Sequence, residues 1–210
     1  MTQKKPTAGV ILAAGESTRF GKPKQLLQLK DKYLIEWVLD AAIGSGLEKT
    51  LLVLGYKHQA ILAALGEKAH QPNLEVVINP HYQDGQSTSL QAGLSKLRDT
   101  FPAIMFLLGD QPLLDSETID ILLDQFWSSD KDICVPVLKG KRGNPVIISY
   151  PFYDQLAEIT GDIGARNIIK NHFDHIKEIE IKNPLCFMDV DTQSDYDRLV
   201  EILEQRRKAR

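Results

Sequence analysis

Much that decides a function early is missing from this chain. Its 210 residues hold two cysteines, Cys134 and Cys186, both in apolar stretches. That leaves no disulfide framework and no cysteine-rich metal motif, so both read as core residues. Charges nearly cancel, with 25 Lys and Arg against 28 Asp and Glu and a formal net charge of −3. There is no general basic field for nucleic acid. No apolar run approaches the ~20 residues of a membrane span. The polar start, 1–7, lacks the apolar core of a signal peptide. A cytoplasmic location is expected, with neither membrane nor nucleic acid as partner. Repeats, low-complexity segments and Pro-, Gly- or Ser-rich linkers are also absent. One domain over 1–210 is therefore expected, with 1–7 and 204–210 as frayed tails.

Two familiar phosphate motifs fail as well. A P-loop needs four residues between its glycines and then Lys-Ser/Thr. Here five residues separate Gly15 from Gly21, and Lys22 precedes Pro23. A dinucleotide fingerprint needs Gly-x-Gly-x-x-Gly, and Gly15 has no partner at Ser17. A nicotinamide oxidoreductase, the rival from another chemical class, loses its main support.

What is present begins at Gly9. A short apolar run reads as a buried strand and breaks into Leu12, Ala13, Ala14 and Gly15. A polar loop follows, carrying Ser17, Thr18, Arg19, Lys22 and Lys24 between and beyond Gly15 and Gly21. Small residues let the backbone approach a ligand. Loop N–H groups make an anion-binding concavity, and Arg19 and Lys24 add cations. The physical reading is a triphosphate cradle; the plainer alternative is a cationic surface loop joining a strand to a helix.

Downstream, helices are expected over Tyr33–Ile43 and Lys57–Leu65, and strands over Thr50–Leu54 and Leu74–Ile78. Strand and helix alternate as in a doubly wound α/β sheet with a parallel core. The loop from Asn79 to Leu90 leads into a helix ending near Arg98. Its Gly85, Ser87 and Ser89 either cap that helix or hydrogen-bond a nucleobase edge. Phe101 to Leu108 is the most apolar strand and ends in Gly109-Asp110-Gln111-Pro112. Asp115 and Ser116 suffice to cap the next helix, so Asp110 is free for Mg²⁺ beside phosphates. Asp132–Leu138 and Val146–Ser149 are strands about a turn holding Arg142 and Gly143. Asp162 and Arg166 precede a short helix, as cap and surface cation or as ligand-facing residues. His175–Ile181 alternates like an edge strand, and Gln193–Leu203 forms the last helix. Before it, Asp189 and Asp191 bring two carboxylates together, two residues apart. A metal held by Asp110 with Asp189, Asp191 or both would bridge a nucleotide's phosphates.

Leu12 to Lys24 meets every fixed position of Leu-Ala-Ala-Gly-x-Ser-x-Arg-x-Gly-x-x-Lys. That pattern resembles the molybdenum cofactor cytidylyltransferases, within the broader MobA-like nucleotidyltransferases. Gly85-x-Ser87-x-Ser89-Leu90, Gly109-Asp110-Gln111-Pro112 and Gly161-Asp162-x-Gly164-Ala165-Arg166 extend the resemblance. It runs from Val10 to Tyr196. It implies a Rossmann-like three-layer α/β fold of the nucleotide-diphospho-sugar transferase kind, a mostly parallel mixed sheet flanked by helices. It also implies transfer of CMP from CTP to molybdopterin, with Mg²⁺ or Mn²⁺ as cofactor and a molybdenum hydroxylase apoenzyme as recipient. Leu12, Ala13, Ala14, Gly15, Ser17, Arg19, Lys24, Gly85, Ser87 and Ser89 would bind the nucleotide. Arg19, Lys24 and Asp110 would be catalytic. Arg142, Gly143, Asp162 and Arg166 would face the acceptor. Relatives often carry His where this chain has Asn144, so no role passes to that position. A guanylyl or sugar-phosphate transferase, and a non-catalytic cofactor chaperone, are the competing expectations.

Overall fold

The computed structural model describes residues 5–17 and 20–208. In chain order it runs β1 (Thr7–Ala13), the two-residue strands β2 (Gln28–Leu29) and β3 (Lys32–Tyr33), and α1 (Leu34–Ile43). Then come β4 (Lys49–Leu54), α2 (His58–Leu65), β5 (Leu74–Ile78), α3 (Gln86–Leu97) and β6 (Ala103–Leu108). The second half holds α4 (Ser116–Trp127), β7 (Ile133–Leu138), β8 (Lys141–Arg142), β9 (Val146–Ser149) and α5 (Tyr153–Ala157). It ends with α6 (Arg166–Asn171), β10 (Ile176–Glu180) and α7 (Gln193–Lys208).

The main sheet has the order β10-β7-β9-β6-β1-β4-β5, with β8 folded back on β7. β1 lies between β4 and β6 and is parallel to both. A strand covered on both faces reads as an unbroken apolar run, which is how β1 and β6 read. β9 runs antiparallel to β6 and to β7, and β8 antiparallel to β7, which makes the sheet mixed. β10 is the edge strand that its alternating pattern predicts.

Side chains alternate across β1. Ile11 and Ala13 face one core, with α1, α2 and α4 packed on it. Ala8 and Val10 face the other, under α3, α5 and α6. A smaller cluster joins Leu199 and Leu203 of α7 to Leu27, Leu29, Leu34 and Leu113. The result is a single three-layer α/β domain, as expected.

Three details correct the sequence expectations. Thr7 is no tail residue: it opens β1, is 2% exposed, and its Oγ1 accepts from Trp127 Nε1 at 2.9 Å. α7 continues to Lys208, past the expected stop at Leu203. No Ser or Thr side chain caps α3; its cap position is Gly85, and the capping carboxylate arrives from Asp162. Asp115 does cap α4, its Oδ1 accepting from Thr118 N–H at 2.8 Å. Both cysteines are buried, Cys186 Sγ lying 3.3 Å from Thr118 Oγ1, and burial pushes the Cys134 thiol up to about 12.

Candidate active site

β1 and β6 run in parallel to Leu12 opposite Leu108, and the Gly109 N–H then donates to Leu12 O at 3.0 Å. From β1 the chain moves out one way through β4 and β5, the other through β6. Open α/β sheets leave a ligand crevice at the carboxyl ends of such a switch point.

A cavity of about 280 Å³ lies over the β1 exit. Leu12, Ala13, Ala14, Gly15, Ser17 and Lys24 line it. Tyr82, Gln86, Ser89 and Asp162 lie across from them. A larger cavity of about 570 Å³ has Gln111, Arg142, Gly143, Arg166 and Asp189 on its walls. A waist of about 70 Å³ shares Leu12 and Gln86 with the first and Asn144 and Arg166 with the second. One cleft thus has a small-residue end and a cationic end, where Lys141 and Lys170 join the two arginines.

Lys24 stands at the centre. Its Nζ donates to Asp110 Oδ2 at 2.6 Å and to Asp191 Oδ1 at 2.7 Å. Burial pulls the ammonium's pKa down, but Asp110 and then Asp191 outweigh it and raise it above the ordinary lysine value. The buried Val190 donates its N–H to Asp110 O at 3.0 Å, which pins the 189–191 segment to the β6 exit. Asp191 then meets Lys24, while Asp189 accepts from Gln111 Nε2 at 2.7 Å. The two aspartates meet different partners, whereas a regular strand would place positions i and i+2 on one face, so the 189–191 segment departs from strand geometry.

This placement alters the expected metal set. Among the described residues no group of three or more His, Cys, Asp or Glu is gathered to hold an ion. Lys24 pairs with Asp110 and Asp191, and Gln111 with Asp189. Asp110 and Asp191 still suit a divalent cation: they already share one ammonium, and the buried Asp110 Oδ1 has no hydrogen-bond partner.

Other assignments shift. Asp162 lines the smaller cavity beside Leu12–Gly15, and its Oδ1 accepts from Gln86 N–H at 3.0 Å at the start of α3. Gly85 and Ser87 are not on the cavity wall. Gly85 has φ +107°, and a Cβ there would lie 2.6 Å from the Gly161 carbonyl carbon, so it seats the 161–163 segment on α3. Ser87 is buried in the protein. Ser89 is on the wall, its Oγ accepting from Asn79 Nδ2 at 3.0 Å. Gly143 is needed because the Phe187 ring would meet a Cβ at 2.2 Å. Arg142 is partly committed, with Nε donating to Glu178 at 2.7 Å. Arg19 lies outside the described residues. Residues the sequence reading missed are Gln25, Tyr82, Gln86 and Asn144 on the walls; Gln111 was quoted only inside a motif.

Asp189 yields a prediction. Partial burial, and after it the charge of Asp110, raise its pKa above the usual carboxylate range against the opposing Gln111 hydrogen bond. A carboxyl with a raised folded pKa contributes stability below its unfolded pKa and loses it as pH rises through the folded one. Asp189→Asn should therefore raise the melting temperature of metal-free protein at pH 7, by roughly 1–3 °C given its solvent access. The gain should vanish as pH falls into the carboxylate range. Melting curves from pH 3.5 to 8 check this, and a gain that grows toward acid refutes it.

Known proteins were compared with this chain. A molybdenum cofactor cytidylyltransferase of Escherichia coli is 28% identical over 193 residues, 89% of this chain and 92% of that protein. A probable molybdenum cofactor guanylyltransferase of Bacillus cereus is 31% identical over 144 residues, 68% of this chain and 67% of that protein. Bifunctional GlmU of Sorangium cellulosum matches at 32% over 122 residues, which spans only 26% of that protein. Among solved structures, Rv0371c of Mycobacterium tuberculosis in complex with manganese is 28% identical. That likeness covers 95% of this chain and 100% of the other, with a TM-score of 0.77. Residues 9–176 match the profile described as the MobA-like NTP transferase domain, so the chain belongs to that family of nucleotidyltransferases.

Proposed function

We propose that this protein transfers CMP from CTP to the terminal phosphate of molybdopterin and releases pyrophosphate. One observation carries the reading: a single cleft joins the Leu12–Gly15 cradle to an arginine-walled cavity, with Lys24, Asp110 and Asp191 beside the cradle. The cradle suits a nucleotide, and Arg142 and Arg166 suit an anionic acceptor. The likeness to the E. coli cytidylyltransferase over most of both chains supports the same acceptor.

Phosphoryl-group transfer needs positioning and charge neutralisation more than covalent help. Lys24, with Arg19, would hold the triphosphate. An oxygen of the acceptor's phosphate forms the new bond to the α-phosphorus. The α–β bridging bond breaks, and its electron pair leaves with pyrophosphate. The nucleophile is already an anion, so no protein base is required. Asp110 and Asp191 would hold a divalent cation, Mg²⁺ or Mn²⁺, with Asp189 beside them; when bound, it supplies positive charge to the phosphates.

Ala14 supports CTP over GTP, because its methyl group narrows the cradle against a purine. One methyl is worth about 1–3 kcal/mol, roughly ten- to two-hundredfold. Incubation with radiolabelled CTP or GTP, molybdopterin and Mg²⁺ tests the reaction. Labelled dinucleotide from CTP with a stoichiometric yield of pyrophosphate is the expected result, and Ala14→Gly should relax the preference without reversing it. Equal use of GTP rejects the cytidylyl assignment. Transfer only to a sugar phosphate rejects the acceptor.

A further inference from the structure

Gln25 is the polar side chain whose burial the proposed chemistry leaves unexplained. It is 3% exposed, although Gly21 and Lys22 just before it are exposed. It sits in the 3-10 turn Lys24–Leu26, directly after the central lysine. Its Nε2 donates to Ala13 O at 2.8 Å and to Gly15 O at 3.4 Å. Both contacts are carbonyls, so the amide's orientation is fixed: the NH₂ must face them.

The neighbouring carbonyls complete a pattern. Leu12 O accepts from Gly109 N–H and Ala14 O from Tyr56 N–H, each at 3.0 Å. Four successive carbonyls at the β1 exit are therefore engaged, from Leu12 to Gly15. Backbone beyond β6 and β4 serves two of them, and Gln25 serves the other two. A carbonyl without a donor would turn its lone pairs toward any anion in the cavity. Gln25 also closes the base of the loop between Gly15 and Lys24. The same short turn that carries Lys24 is tied back to the cradle that Lys24 serves.

We infer that Gln25 is a positioning residue: its amide clasps the β1 exit to the Lys24 turn, setting the spacing between the glycine loop and the ammonium. This rests on reading the cavity as a triphosphate site. Its consequence is a phosphate-specific defect when the amide is lost. Gln25→Met keeps length and volume and removes the donor. Gln25→Asn, one methylene shorter, withdraws the donor at smaller cost to packing and replaces Met should that variant fold poorly.

The experiment is calorimetric binding of CTP and of cytidine to wild type, Gln25→Met, Lys24→Ala and the double variant, with thermal midpoints alongside. Gln25→Met should weaken CTP about tenfold or more, the scale of a charge displaced by a fraction of an ångström. Cytidine binding should change by less than about threefold, since one buried hydrogen bond at a distance sets that limit. In the Lys24→Ala background the same change should cost CTP little, because the group being positioned is gone. Equal weakening of CTP and cytidine, or effects that add in the double variant, overturns the inference and leaves the site reading intact. A wild type that binds CTP no better than cytidine overturns the site reading and this inference together.

Discussion

Asp110→Asn is expected to lower kcat at least about a hundredfold at saturating nucleotide and Mg²⁺, the scale seen when charge stabilisation in phosphoryl transfer is lost. The fold should survive. Asn keeps the shape of Asp, and the backbone carbonyl that takes the Val190 N–H is untouched. Lys24 also retains Asp191 at 2.7 Å. The loss should fall on the chemical step more than on CTP binding, because Lys24 becomes freer to meet the phosphates. Asp191→Asn should show a comparable defect, since Asp191 meets the same ammonium. Asp189→Asn should be milder, because Asp189 is held by Gln111 on the wall of the larger cavity. Single-turnover rates with CTP and molybdopterin, read beside thermal midpoints, decide the matter. Near-normal turnover in Asp110→Asn removes that residue from the chemistry.

The elements that place this site were legible because they are long or bury both faces. β1, β4, β5 and β6 announce themselves as short apolar runs, and α1, α2 and α4 as apolar faces. Five-residue α5 and the β2–β3 pair were not legible, since neither spans enough residues for a period to register. Their partners are distant: α5 packs Leu156 into the core beneath α3, a relation no local pattern encodes. In the site, Lys24, Asp110 and Asp191 were legible as residue types at strand ends. Their mutual pairing was not, because it joins positions 86 and 167 residues apart. The reading of Asp162 as a cap of α6 failed for a related reason. A carboxylate beside one helix reads as that helix's cap, yet it caps α3, 76 residues upstream. Buried glutamines are the hardest case. Gln25 and Gln111 carry no periodic signature, and only the carbonyls and carboxylate they meet reveal their work.

Lys24→Met is expected to do two opposite things, and both follow from where the ammonium sits. The side chain is 18% exposed and pairs with Asp110 and Asp191. A triphosphate that recruits Lys24 must draw it off those carboxylates. A divalent cation that enters between Asp110 and Asp191 must displace the same ammonium. Each ligand therefore breaks the pairing that opposes the other, and the two should bind with positive coupling. Met keeps the length of the stem and removes the charge. CTP affinity should fall about thirty- to a hundredfold, as for a lost charge-assisted contact to phosphate. Affinity for Mn²⁺ without nucleotide should instead rise, by about tenfold, because the internal competitor is gone and two carboxylates are left unpaired. The coupling between CTP and Mn²⁺ should shrink toward none. Electron paramagnetic resonance titration of free Mn²⁺, with and without CTP, reads both affinities on one sample. An unchanged or weaker Mn²⁺ affinity in Lys24→Met would show that the lysine and the cation do not contend for the same oxygens, and the coupled-entry account fails.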